Sequence, residues 1–278
     1  MNIALSFLAG AVVGLVVLKA LLPSLQRAPF LVDNFRKDKI PTAAGLVLVV
    51  TVVTVEAGRA ALAQLRDQPM TPGTSLAVVA AVGAFAAFGL LDDLAALPGD
   101  RGFKGHLRAL ARGRLTTGSL KLFGGSFVAL AVVGTITDRG IGWLLVDGAI
   151  VALSANLTNL FDLRPGRTLK VSFLWGALLL ACSSFDADVA PVATVLGAGL
   201  ALFVPDLRAR LMLGDTGSNV LGAALGLGVV IEGSSAVRIA FAIGLVVLTV
   251  LGDVIGFTRI IRATPPLRYL DELGRPTS

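Results

Sequence analysis

Residues 74–93 read TSLAVVAAVGAFAAFGLLDD: an uncharged run through residue 91, then two adjacent carboxylates. As a helix, residues 74–91 would reach about 27 Å, close to the thickness of a bilayer's hydrocarbon core. The run has no polar face, so such a helix has no side that needs water. Similar apolar segments recur at 3–22, 41–57, 120–136, 142–160, 169–184, 189–205, 217–232 and 236–257. The fold expected is therefore all-α: a polytopic transmembrane helix bundle of about nine spans, with residues 1–278 as one integral membrane domain. The segments at 169–184 and 189–205 are short for a crossing, and one crossing plus a re-entrant segment is the alternative there. Gly and Ala recur inside the spans, as in LGAALGLG after residue 220, which suits close helix packing in lipid.

Composition agrees. Of 278 residues, 55% are hydrophobic and 15% charged, and mean hydropathy is +0.84. A soluble domain carries about 25% charged residues and could not hide this much apolar surface in one core. The net charge of +6 and pI near 10.1 do not point to nucleic acid, because aromatic residues are only 6% and the cations sit between apolar runs. The single cysteine, Cys182, excludes an intramolecular disulfide and reads as a packed thiol among apolar neighbours. The first apolar segment lacks a basic leader and a cleavage site, so it reads as a retained helix.

The cations are one-sided. Loops 23–40, 92–121, 161–170, 206–216 and 258–278 hold 19 of the 24 Lys and Arg residues. The opposite loops hold only Arg59, Arg66, Arg139 and Arg238. The positive-inside rule then puts the N-terminus outside and the C-terminus in the cytosol of a multi-pass cell-membrane protein. Residues 266–274 suit an interfacial helix. The acids of the opposite face, Glu56, Asp67, Asp138, Asp186, Asp188 and Glu232, read as solvated loop residues.

Four polar knots lie on the basic face. Asp92 and Asp93 end the third span; together they need a cation, or they form a solvated helix terminus. Asn156, Asn159 and Asp162 recur every three residues in SANLTNLFDLRPGR and would line one side of a helix, as a cavity wall or an interhelical network. Thr158 can satisfy a local carbonyl. Arg164 and Arg167 follow, at a Pro165 break where guanidiniums could meet a phosphate. In MLGDTGSNVLG, Asp215, Thr216, Ser218 or Asn219 could cap the entering helix, the glycines permit close backbone approach, and Asp215 offers hard oxygen to Mg²⁺. Lys121 opens the fourth span and either snorkels or reaches the same cleft. Arg101, Lys104, His106, Arg108, Arg112 and Arg114 make the preceding loop cationic.

In this order the knots resemble the polyprenyl-phosphate N-acetylhexosamine-1-phosphate transferases, the family of phospho-N-acetylmuramoyl-pentapeptide transferase, over roughly residues 35–260. PTAAG at 41–45 is similar to the family's PTxGG element, LLDD at 90–93 to its membrane-border aspartate pair, ANLTNLFD at 155–162 to its NxxNxxDG segment, and LGDTGS at 213–218 to its GDTGS magnesium segment. The resemblance implies a Mg²⁺-dependent transferase. It would move a sugar-1-phosphate from a nucleoside-diphosphate sugar, uridine-based in the family's pattern, to polyprenyl phosphate in the membrane lipid. It also implies that Asp92, Asp93, Lys121 and Asp215 are catalytic, with Asp215 on the metal, and that Asn156, Asn159, Asp162, Arg164 and Arg167 bind substrate.

The sequence departs from the family where LRPG follows Asp162, with Pro165 at the place of an acid associated with the nucleotide pocket. A late histidine-rich motif is missing: the chain has one histidine. Asp253 is an additional candidate near the inner end of the last span. Two other readings stand beside the transferase: a divergent or noncatalytic protein binding another nucleotide or lipid headgroup, and a transporter. Small-residue packing would also serve a homodimer.

Overall fold

The computed structural model describes residues 2–34, 36–67, 72–95, 117–183 and 187–276. The cationic loop with Arg101, Lys104, His106, Arg108, Arg112 and Arg114, and also Asp186, lie outside the described residues. The chain is an all-α membrane bundle. Its helices are α1 (Ile3–Leu25), α2 (Leu46–Leu65), α3 (Pro72–Ala95), α4 (Thr117–Gly134), α5 (Ile141–Phe161), α6 (Arg167–Cys182), α7 (Ala190–Leu207), α8 (Gly214–Glu232), α9 (Ser235–Val254), α10 (Phe257–Ala263) and α11 (Pro265–Glu272). A two-stranded antiparallel ribbon, β1 (Leu31–Asp33) and β2 (Lys39–Pro41), lies between α1 and α2 in what reads from the sequence as loop.

Among the described residues, seven helices are long and apolar enough to cross a membrane: α1, α2, α3, α5, α7, α8 and α9. The other two expected spans also form helices, but shorter ones. α6 has 16 residues, and the apolar part of α4 is Leu120–Gly134. On length alone these two fall short of the roughly 20 residues an untilted crossing uses.

Helix α8 occupies the middle of the bundle. Of its apolar window 89% is buried, against 22% for α1 and 11% for α9, so α8 meets protein while α1 and α9 meet lipid. Its composition follows. With no lipid face to cover, α8 is the least hydropathic of the seven and is built on small residues. A methyl group at Gly222 would collide with the Ser154 carbonyl and Thr158 hydroxyl of α5, and one at Gly226 would press on Val151 and Ser154. The LGAALGLG run is thus the seam between α8 and α5. Helix α1 packs along α7, where Gly10 lies against the Thr194 carbonyl.

Charges on the face opposite the basic loops are not all solvated. Glu56 of α2 is buried, pairs with Arg59 at 3.4 Å and accepts a hydrogen bond from Thr194 of α7 at 3.3 Å. Asp147 of α5 is wholly buried. It accepts from Arg238 of α9 at 2.9 Å and from Thr137 at 3.4 Å, while Arg238 also donates to the Gly233 carbonyl at 2.8 Å. Cys182 is exposed, not packed, because α6 ends with that side turned outward.

The Asp147–Arg238 pair fastens lipid-facing α9 to the core. Removing one partner leaves an uncompensated charge in a low-dielectric interior, at a cost of about 3–5 kcal/mol. Arg238→Met is expected to lower the thermal midpoint of the purified protein in detergent, and Asp147→Leu added to it should recover most of the loss. A single variant that melts with the parent would show that the pair does not hold α9.

Candidate functional site

The knots of the basic face converge on the first turn of α8. Helices leave their first N–H groups without partners, and here the cap comes from another helix. Asp93, near the end of α3, accepts from the Asp215 N–H at 2.8 Å, the Thr216 N–H at 3.0 Å and the Thr216 hydroxyl at 2.6 Å. None of Asp215, Thr216, Ser218 and Asn219 acts as the side-chain cap the sequence suggests; the N-cap position is Leu213, whose side chain cannot accept. A carboxylate there also meets the positive end of the helix dipole.

Backbone proximity makes this possible. Gly214 adopts φ +68, a left-handed conformation open to glycine at little cost, and a side chain there would strike the Asp93 carboxylate. The PTAAG segment braces the same turn from below. Ala44 donates to the Met212 carbonyl at 3.2 Å, Gly45 to the Leu213 carbonyl at 3.1 Å, and Met212 to the Pro41 carbonyl at 2.8 Å. A methyl group at Gly45 would overlap the Gly217 backbone.

With its backbone N–H capped, Asp215 turns its carboxylate to the other neighbours. Oδ1 accepts from the Asn159 side-chain amide at 2.7 Å, and Oδ2 is paired with the Lys121 ammonium. Asp92 hydrogen-bonds the same carboxyl. Two carboxyl groups in contact need a cation or a shared proton between them, and Lys121 supplies the cation. Asn159 also donates to the Ser218 hydroxyl at 3.1 Å, and Thr158 donates to the Ser218 carbonyl at 2.7 Å, so α5 is stitched to α8 at this level.

Asp162 closes α5 and accepts from the Thr168 hydroxyl at 3.0 Å. Enclosure by protein, with the Asp206 carboxylate as the next cause, pushes its pKa well above the ordinary value; Asp215 and Asp93 add to the same effect. Asp206 is a residue the sequence reading passes over. It is buried and accepts from the Gly166 N–H at 2.8 Å, holding the LRPG turn against the end of α7. Its position, an acid at the mouth of an apolar span, is the same signal that singles out Asp92 and Asp162.

Other predicted residues lie apart from this cluster. Asn156 has no hydrogen bond to it among the described residues. Asp253 is exposed at the end of α9. Arg167 is buried, with its guanidinium committed to Asp271 of α11 at 2.8 and 2.9 Å and to Thr258 at 3.0 Å. Arg164 sits among cations: loss of water, then Arg262, Arg167 and Arg275, lowers its pKa from the usual guanidinium value.

The C-terminal segment is bolted to the same turn, which the sequence does not foretell. Arg275 forks onto Asp271 at 2.7 and 2.9 Å and donates to the Pro165 carbonyl at 2.7 Å. Lys170 donates to the carbonyls of Leu270, Asp271 and Leu273 at 2.7–2.9 Å, covering the C-terminal end of α11.

No known protein-family profile matches the chain, and no curated protein sequence matches it. Among the described residues no group of three or more His, Cys, Asp or Glu side chains is arranged to hold a metal ion. The donor set at Asp215 still suits a hard cation, because Mg²⁺ is commonly held by one or two carboxylates plus substrate phosphates and water. Asp215 and Asp92 form such a pair.

Two outcomes check this geometry. Asp93→Ala strips the cap from α8 and should cost about 1–2 kcal/mol, read as a lower thermal midpoint, while Asp92→Ala leaves the midpoint near that of the parent. For the tail, burial acts to raise the pKa of Asp271, but Arg167 and Arg275 outweigh it and bring it from 3.8 to about 2. Its contribution is therefore complete above about pH 4 and is lost as pH falls through 2. Hydrogen exchange of residues 265–276 should stay slow down to that range, and in Asp271→Asn it should already be fast at neutral pH.

Proposed function

We propose that this protein is a Mg²⁺-dependent membrane transferase that moves a sugar-1-phosphate from a nucleoside-diphosphate sugar to polyprenyl phosphate. The observation that carries the reading is the meeting of Lys121, Asn159 and Asp92 at one carboxylate, Asp215, on a helix start braced by Asp93. The resemblance of the four motifs to the polyprenyl-phosphate transferases supplies the reaction class. Nine crossings, with the N-terminus outside and the basic face in the cytosol, are part of the reading and rest on the one-sided cations.

In the reaction an oxygen of the lipid phosphate bonds to the sugar-bearing phosphorus. The bridging P–O bond breaks, and nucleoside monophosphate leaves with the electron pair. Asp215, with Asp92, would hold Mg²⁺, which when bound neutralises charge on the diphosphate and the transferred phosphoryl group. Lys121 would meet a phosphate oxygen with the ammonium it otherwise lends to Asp215. Asn159 orients the Asp215 carboxylate through its amide. Asp93 acts on the position of Asp215 through the backbone of α8 and touches no substrate in this scheme. Arg164, at the LRPG turn, is the cation nearest in sequence to Asp162 for a nucleotide phosphate, while Arg167 serves the fold.

One observation favours a narrower alternative, a divergent member that takes another nucleotide or headgroup. The Pro165 carbonyl, at the place of the family's nucleotide-pocket acid, is held by Arg275. Tight and selective binding of uridine diphosphate would remove that alternative.

The test is purified protein in detergent with undecaprenyl phosphate, Mg²⁺ and a panel of nucleotide sugars. Lipid-diphosphate sugar and nucleoside monophosphate should form together and only with the metal. Asp215→Asn should lower the rate by about 100-fold or more, the scale of losing a key charge-stabilising group, without altering membrane insertion. Full activity in that variant, or no product across the panel, would overturn the proposal.

A further inference from the structure

A second concentration of charge lies on the basic face, and it is built from residues that the Asp215 cluster does not use. Arg208, Arg210, Gly274, Arg275 and Pro276 line an open pocket of about 430 Å³. Its walls come from two distant parts of the chain, the turn after α7 and the tail after α11.

Each wall has a local cause. Helix α7 stops at Leu207, and Ala209 takes the left-handed conformation at φ 52, which an alanine adopts only at some cost. The turn is closed by the Ala209 N–H on the Asp206 carbonyl at 2.8 Å and the Arg210 N–H on the Pro205 carbonyl at 2.9 Å. Arg208 and Arg210 flank it. On the other side Gly274, at φ +76, ends α11 and turns the tail back. Arg275 is then fixed by its fork with Asp271 and by the Pro165 carbonyl, and the Pro276 carbonyl is held by Arg36 at 3.2 Å.

The charges do not balance within the pocket. Arg275 has Asp271 as its counter-ion, but Arg208 and Arg210 form no ion pair or hydrogen bond through their side chains among the described residues. The dipole of α7 accounts for a cation at Arg208, next to the helix's last carbonyls. It does not account for Arg210 or for the meeting of both with a fixed third guanidinium in a concavity. Two guanidiniums without a counter-ion at one concavity favour an anion between them, and the planar fork of each suits the oxygens of a phosphate group.

We infer that this pocket is an anion site for a phosphate group, with Arg208 and Arg210 as its donors and Arg275, already held by Asp271, as part of its wall. Two sources carry that chemistry on this face, a phospholipid headgroup and a soluble phosphate compound. The pocket volume accommodates either. The inference does not depend on the transferase reading, since none of its residues takes part in that reaction.

The experiment compares the full-length protein with Arg208→Gln/Arg210→Gln, a change at two exposed positions that leaves the core untouched. In one arm, native mass spectrometry counts dioleoylphosphatidylglycerol or dioleoylphosphatidylcholine retained on protein released from detergent. In the other, calorimetry measures binding of inorganic pyrophosphate with divalent metal chelated. In at least one anionic arm affinity should fall by about tenfold or more, the loss expected of one charge-assisted hydrogen bond, with phosphatidylcholine unchanged. The arm that responds names the source. Arg208→Lys/Arg210→Lys should lie between the two, because it keeps the charge without the fork. Equal binding by parent and double-Gln variant in both anionic arms, or an equal fall for phosphatidylcholine, would overturn the inference.

Discussion

The Asp93 carboxylate at the start of α8 is the contact on which the rest of the basic face depends. A helix that begins inside a bundle has N–H groups that water cannot reach, and leaving them bare would cost more than most single contacts return. The usual remedy is a side chain from the residue just before the helix. That route is closed because Leu213 occupies the cap position and the backbone is pressed between α3 and the PTAAG turn. A carboxylate from α3 takes over, binding two N–H groups and a hydroxyl. The local dipole favours its negative charge there.

That substitution determines the orientation of Asp215. Had Asp215 capped its own helix, its oxygens would be folded back onto the backbone. With the cap supplied by Asp93, its carboxylate is available to Lys121 from α4 and Asn159 from α5. Three helices far apart in sequence therefore meet at one acid. The Pro41–Gly45 segment holds the same turn through backbone hydrogen bonds and Asp206 holds the LRPG turn, so the cluster sits on braced backbone and not on a free loop.

How much of this was legible in the sequence follows from the kind of signal each feature leaves. The long apolar runs are local, and they marked α1, α2, α3, α5, α7, α8 and α9 as crossings; at α4 and α6 the runs also formed helices, but with shorter apolar lengths. The acids at helix mouths were legible for the same reason, because Asp92, Asp93, Asp162 and Asp215 each interrupt a greasy run. Partnership was not. Asp93 and Asp215 are adjacent in type and placement, yet one is a cap and the other presents its carboxylate, a difference set by a backbone approach that no spacing encodes. Asp147–Arg238 and Arg167–Asp271 join residues 91 and 104 positions apart, so their charges read as isolated until the helices are packed. Glu56 looked like a loop acid because it lies near the end of its span, but α7 covers it.

The basic loops show the same limit from another direction. A count of Lys and Arg reports orientation across a bilayer and is blind to what each cation touches. Packing divides that count into distinct groups. Arg167, Lys170 and Arg275 are tied to α11 and its ends by Asp271 and by backbone carbonyls; they hold the tail against the LRPG turn. Lys121 is balanced by Asp215. Arg208 and Arg210 have no such internal balance. A cation with a protein partner contributes the same topological signal as one without, but only the second kind retains its full attraction for an outside anion. Arg208 and Arg210 are cations of that second kind, set where the turn after α7 meets the tail, whereas Lys121 is already held by the Asp215 carboxylate.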